Sequence, residues 1–236
     1  MSDGIYIGMS AAVARARQLD AVADNLANAQ TVGFKAARPS FESFLPKGGS
    51  ASKVYAAAVD TGVDLREGSV APTGRPLDLV PNDGAFLSVR LPSGAAAYTR
   101  DGRVSVDADG RLRAAGHPLL SDAGEPIFIP PGEGTPVIDS LGVIRMGDLE
   151  VGRIALFHLE GPVQKMGGAL LSPQEEGRVT QSLAGVRVGE IELGNATPLE
   201  ATVQMIGAQR AFDQSMQAIQ TYRKLDEKIG ELGKVR

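Results

Sequence analysis

The stretch DNLANAQTVGFK, residues 24–35, closes an apolar rhythm that starts near the amino terminus. Upstream, Met9, Ala12, Ala16, Leu19, Ala23 and Leu26 step by three and four residues, and Val13 and Val22 widen the stripe. Arg15, Arg17, Gln18, Asp20 and Asp24 fall mostly outside it. That spacing predicts an amphipathic helix over 5–28, ~36 Å long at 1.5 Å per residue. The seam is largely alanine. It permits close approach of another helix but offers little apolar area, so the helix needs a partner to be stable. The quoted stretch then breaks the pattern. Asn25 and Asn28 are of a type that caps a helix end or bonds across to a neighbour. Thr31 follows, Gly33 permits a sharp reversal, and Phe34 is a lone aromatic suited to anchoring that turn in an apolar pocket.

The carboxy-terminal segment mirrors the first. In NATPLEATVQM, residues 195–205, Thr197 stands as N-cap and Pro198 takes the first helical position, where a missing N–H costs least. Glu200 follows three residues after the cap. The stripe then reads Met205, Ala208, Phe212, Ser215, Ile219 and Tyr222, shifting to Leu225, Ile229 and Leu232. A helix over 198–232 would extend ~52 Å. Gly230 and Gly233 mark its end.

Between the two the period changes. GAFLSVRL, EPIFIP, GVIRMGDLEVGRIALFHLE and GRVTQSLAGVRVGEIEL are short alternating or β-branched runs broken by Gly, Pro and Asp-Gly pairs. Asp101-Gly102 and Asp109-Gly110 are turn signals. Residues 76–192 are expected as a mostly antiparallel β domain and 37–75 as a connecting segment, partly extended. Within that segment RPSFESFLPKGGSASK (38–53) reads as loop, and a strand begins near Val63. The fold class is α+β: helices in 1–36 and 193–236, paired as a coiled-coil-like domain, beside the central β domain.

Composition narrows the function. The 236 residues carry 24 Lys+Arg against 28 Asp+Glu, a net charge of -4, which argues against a nucleic-acid surface. The absence of cysteine removes disulfides, thiolate zinc sites and a Cys nucleophile together. No apolar run reaches the ~18–20 residues of a membrane helix. The amino terminus lacks a basic leader, and Arg15, Arg17, Asp20 and Asp24 interrupt any apolar core, so no cleavable secretory signal is expected.

No catalytic constellation emerges. His117 precedes Pro118 in a turn-like run and His158 sits in an apolar strand, with no paired ligand near either in sequence. DADG, residues 107–110, begins like a calcium loop but lacks the later oxygen ligands, and a hairpin turn is the better reading. Asn195-Ala196-Thr197 matches a glycosylation sequon, yet the same residues form the helix start, and the cap is favoured. Glu175-Glu176 lies in a loop-like run and reads as solvated, with a glycosidase-type carboxylate pair as the alternative. No enzyme, metal, cofactor or small-molecule substrate is expected.

Taken in order, four stretches resemble the flagellar axial proteins, the family of rod, hook and hook-associated subunits. In that family Asn-Leu-Ala-Asn and Thr-x-Gly-Phe close the amino-terminal helix; here they stand as Asn25, Leu26, Ala27, Asn28 and Thr31, Gly33, Phe34. TGRPLDLVPNDGAFLSV (73–89) is similar to the opening of the family's β domain, and YTRDGRVSVDADGRL (98–112) to its next hairpin. GNATPLEATVQMIGAQRAFDQSMQAI (194–219) is similar to its carboxy-terminal helix. Gly194 stands where the family usually has Ser, and Ser215 where Asn is common. The single moderate β domain suits a rod rather than a hook subunit.

The resemblance implies that the terminal helices form an inner domain lining a hollow rod, with the β domain outside. It implies export, unfolded, through the flagellar type III apparatus, and a place in the periplasmic rod of the basal body. The implied partners are further copies of the chain, other proximal and distal rod proteins, and that apparatus. The alternatives are a distal-rod or hook-type axial subunit, a secreted adhesin, or a cell-wall glycan hydrolase, for which no catalytic signature stands in the sequence.

Overall fold

The structure is a computed structural model and describes residues 2–44, 55–131 and 135–232. Helix α1 spans Ser2–Ala27 and helix α2 spans Pro198–Leu232. Helix α2 starts at Pro198, whose fixed φ suits a first turn, with Glu200 in that turn. Between the helices lie short strands, and every strand pairing with a defined register among the described residues is antiparallel. The fold is α+β. No helix among the described residues is long and apolar enough to cross a membrane.

The chain forms two compact units. The first comprises Met1–Ala27, Ala37–Gly62 and Pro198–Arg236, and the second comprises Asn28–Ala36 and Val63–Thr197. In the first unit α1 and α2 pack against each other. Two strands, β1 (Ala37–Phe44) and β2 (Tyr55–Val63), pair as a ribbon, and β1 also touches α1. Residues 38–44 are therefore strand, where the sequence suggested loop. Pairing within a two-stranded ribbon rests on backbone hydrogen bonds and leaves no strict apolar alternation to read. The rest of the expected loop, 45–53, lies outside the described residues. Near Val63 a strand ends rather than begins, and the next opens at Val70.

The second unit is built on a six-stranded sheet. Its strands follow the spatial order Val163–Gly167, Leu170–Pro173, Ala96–Thr99, Phe86–Arg90, Leu156–Glu160, Arg178–Ser182. The sheet is covered on both faces. Leu87 and Val89 enter a cluster with Leu79, Leu112, Leu119 and Ile144, whereas Phe86 joins Tyr98, Leu159, Val163 and Leu171. Burial on both sides explains why FLSV reads as a continuous buried run rather than an alternation. Tyr98 meets Phe157 edge-on, with centroids 5.5 Å apart.

The two Asp-Gly signals have different outcomes. Asp109-Gly110 lies in a hairpin loop joining Ser105–Val106 to Leu112–Ala114, with Gly110 at φ 82°. The Asp107 carboxylate accepts the N–H groups of Asp109 and Arg111 at 3.0 and 2.8 Å. That is the chemistry of a turn, not of a cation loop. Asp101-Gly102 turns no hairpin. Strand Ala96–Thr99 pairs with Phe86–Arg90 and Leu170–Pro173, while Ser105–Val106 pairs elsewhere, so the dipeptide is a passage between sheets. Gly102 is required there because a Cβ would stand 1.6 Å from the Leu79 carbonyl oxygen.

Candidate assembly site

The family-like loop is assembled from its own residues outward. Asn25, near the end of α1, does not cap the helix. Its Nδ2 donates to the Ala37 carbonyl at 2.8 Å and its Oδ1 accepts the Ala37 N–H at 2.7 Å, so the side chain pairs with the first residue of β1 as a strand would. In the second unit, Thr31 N–H bonds the Asn28 carbonyl at 2.9 Å and Thr31 Oγ1 reaches Asn28 Oδ1 at 3.2 Å, closing a turn. Gly33 sits at φ 69°, and its N–H bonds the Glu192 carbonyl at 2.8 Å. A Cβ on Gly33 would lie 2.1 Å from the Asp101 amide nitrogen, so both conformation and space demand glycine. Phe34 is wholly buried among Ala29, Ala36 and Ala196, with the Lys165 ammonium 3.8 Å from its ring centroid.

Beside Phe34 lies a cluster of buried charge that sequence reading does not single out. Lys35, Arg100 and Glu192 are each 2% exposed or less. Lys35 Nζ donates to Glu192 Oε1 at 2.8 Å and to the Arg66 carbonyl at 2.6 Å. Arg100 Nε reaches Glu192 Oε2 at 2.6 Å, and its Nη2 contacts the same oxygen. Arg100 also donates to the Ala85 carbonyl and, at 3.1 Å, to the half-exposed Glu67. The Gly68 N–H completes the Glu192 set at 2.9 Å. Burial raises the cost of charge on Glu192, but Arg100, Lys35 and the Gly68 amide outweigh it and hold its carboxyl below the ordinary carboxylate value. Burial lowers Lys35 from its usual value, because Glu192 is shared with Arg100 and returns only part of the desolvation cost.

The helix stripes are placed as follows. On α2, Ala208 and Ile219 are buried and Met205, Phe212 and Ser215 half-buried, while Tyr222, Leu225 and Ile229 are exposed. On α1, Ala12 is buried, Ala16, Leu19, Ala23 and Leu26 are half-buried, and Met9 is 50% exposed. The buried face of α1 instead runs through Ala14, Ala21, Val22 and Asn25. Arg15 and Gln18, expected on the outer face, are half-buried and bond each other at 2.9 Å. Alanine occurs on every face of this helix, so the sequence stripe specifies its rotation only weakly. Contact between the helices is close: a Cβ on Gly8 would fall 2.8 Å from Ile219 Cγ1. Pro198 and Glu200 stand in the first turn of α2, with Thr197 immediately before it.

The outer faces keep apolar residues in water. Tyr6, Met9 and Val13 form one such stripe on α1, and Leu199, Val203 and Ile206 form another on α2, each at least 50% exposed.

Comparison with known proteins accounts for this plan of two helices around a β region. Residues 5–35 match the family described as flagella basal body rod protein. Residues 82–146 match the flagellar hook protein FlgE/F/G D1 domain, and 188–232 match the flagellar basal body rod FlgEFG protein C-terminal region. The flagellar basal-body rod protein FlgF of Mesorhizobium japonicum is 34% identical over 99% of both chains. The chain belongs to the flagellar basal-body rod protein family. The FlgF proteins of Salmonella typhimurium and Escherichia coli are similar at 32% and 31% identity, over 98% and 93% of each chain. A rod protein named FlgG, from Buchnera aphidicola, matches at 25%. As a member of the rod family the chain is a structural subunit of the flagellar basal body. The loop bearing Gly33 and Phe34 lies within the first family match, and Glu192 within the third.

Proposed function

We propose that the chain builds the rod through its two terminal helices, and that the rod so formed is the hollow shaft that transmits torque. The observation carrying this reading is the pair of apolar stripes, Tyr6–Met9–Val13 and Leu199–Val203–Ile206, left in water by the isolated chain. A fully buried Val, Leu, Ile, Phe or Met contributes about 1.5–3 kcal/mol, so covering several of them offsets the weakness of small-residue helices. Contacts between unlike faces continue along an open helical lattice when the rotation between copies does not close. In this reading α1 and α2 form a coiled-coil-like inner domain. The stripe residues Met9, Ala12, Ala16, Leu19, Ala23 and Leu26, with Met205, Ala208, Phe212, Ile219, Tyr222 and Ile229, serve helix contacts within or between subunits.

The partners are further copies and the neighbouring rod proteins. The likeness to proteins named FlgF favours the proximal part of a periplasmic rod, reached unfolded through the type III export apparatus. The test is to delete 2–27 and 198–236 separately, boundaries that leave the second unit whole. Each deletion is expected to give a folded, soluble β unit that does not enter basal bodies; incorporation of either deleted chain refutes the reading.

A further inference from the structure

The chain passes between its two units at four peptide bonds, 27/28, 36/37, 62/63 and 197/198. On the second-unit side, three of these passages meet in one bonded node and the fourth lies against it. Asn195 is its centre. Its Nδ2 donates to the carbonyls of Asp64 and Arg66 at 2.8 and 3.0 Å, and its Oδ1 accepts the Ala36 N–H at 2.7 Å. Its own N–H bonds the Phe34 carbonyl at 3.2 Å, and Asp64 N–H bonds the Ala36 carbonyl at 2.8 Å. The fourth passage is held by contact. A Cβ on Gly194 would stand 3.1–3.4 Å from the carbonyl oxygens of Ala29, Thr31 and Asn28. Glu192 adds its carbonyl bond to Gly33 and its carboxylate bonds to Lys35 and Arg100.

We propose that Asn195, with Lys35, Arg100 and Glu192, is a junction clamp. These are positioning residues that hold the four departure points of the β unit in fixed registry, so that the terminal helices can enter the rod lattice. The proposal rests on the reading that those helices build the rod. The clamp is distinct from the sheet's two apolar clusters, which contain none of its four residues. It is made of directional bonds, whereas apolar contact tolerates sliding. The amide of Asn195 uses both its donors' carbonyl partners and its acceptor on backbone groups, which sets chain position without demanding any particular neighbouring side chain.

The test uses the full-length chain and two readouts: amide hydrogen exchange in solution, and incorporation into basal bodies of cells lacking the native copy. In Asn195→Ala, exchange at the Ala36 and Asp64 amides is expected to rise roughly tenfold or more while Leu87 and Leu112 keep their protection. Incorporation is expected to fall. Asn195→Ser keeps a hydroxyl of shorter reach in place of the amide and sets no charge against the Asp64 and Arg66 carbonyls, so it is expected to lie between wild type and Asn195→Ala in both readouts. It serves as the working variant if Asn195→Ala does not accumulate. The clamp is overturned if the Ala36 and Asp64 amides stay protected, or if the core amides lose protection by the same factor. It is overturned equally if the amides open and incorporation is unchanged. Normal incorporation of Asn195→Ala beside exclusion of the helix-deleted chains would remove the clamp and leave the helix reading standing; incorporation of the helix-deleted chains would remove both.

Discussion

Replacing Glu192 with Gln isolates what the buried charge contributes. Glu192 is wholly buried and, among the described residues, is the one carboxylate bonded to Lys35, while Arg100 otherwise pairs there with the half-exposed Glu67. Glutamine keeps one oxygen for Lys35 or the Gly68 amide, but turns an NH2 group toward donors of its own kind. Two buried cations are left with one partly solvated anion. Removing one partner of a buried pair costs about 3–5 kcal/mol, which is a midpoint shift on the order of 10 °C for a unit of this size.

Lys35→Met is expected to cost less than half as much, because Arg100 and Glu192 still neutralise each other and the methionine stem occupies the lysine's path. In the double variant Lys35→Met/Glu192→Gln one uncompensated cation is gone, so stability should recover part of the Glu192→Gln loss, with a coupling of roughly 0.5–3 kcal/mol. Urea unfolding followed by circular dichroism measures all three. The reasoning is refuted if Glu192→Gln costs under about 1 kcal/mol, or if the double variant is no better than the Glu192→Gln single variant.

Three further outcomes are expected. Because the Glu192 carboxyl is held below its ordinary value, its stabilisation is fully present above about pH 4.3 and is lost as pH falls below that toward its folded value; the acid limb of a stability profile should flatten in Glu192→Gln. Gly33→Val places a branched side chain at φ 69° and against the Asp101 amide, and should abolish swimming in complementation plates; normal swimming would count against the turn. Asn25→Ala removes both bonds to Ala37 and leaves that backbone pair unsatisfied, a cost of about 1–3 kcal/mol seen as earlier melting of helical signal.

The two helices and the Gly33–Phe34 turn were legible because their cues are local: a step of three and four, Pro198 at a helix start, a glycine before a lone aromatic. The rotation of α1 was less so, since Ala12, Ala14, Ala16, Ala21 and Ala23 spread over its surface and only packing selects among them. Asp101-Gly102 carries the signal of a turn, but the same backbone freedom serves a passage between sheets, and which of the two applies depends on Leu79, distant in the sequence. Lys35, Arg100 and Glu192 could not be grouped from sequence. No periodicity links them, and a lone Lys, Arg or Glu ordinarily reads as surface. Asn195 drew notice only as part of a sequon and a cap, although its amide is fully engaged with backbone groups.

The distance along the chain between Lys35 and Glu192 has a consequence for biosynthesis. A ribosome releases residue 35 long before residue 192, so throughout most of translation the lysine and Arg100 lack the carboxylate that makes their burial tolerable. The turn around Gly33 likewise waits for the Glu192 carbonyl, and Ala36 waits for Asn195. A nascent chain thus stays unsealed around residues 33–36 until residues 192–195 have been made, and closure comes as a late, long-range step of high contact order.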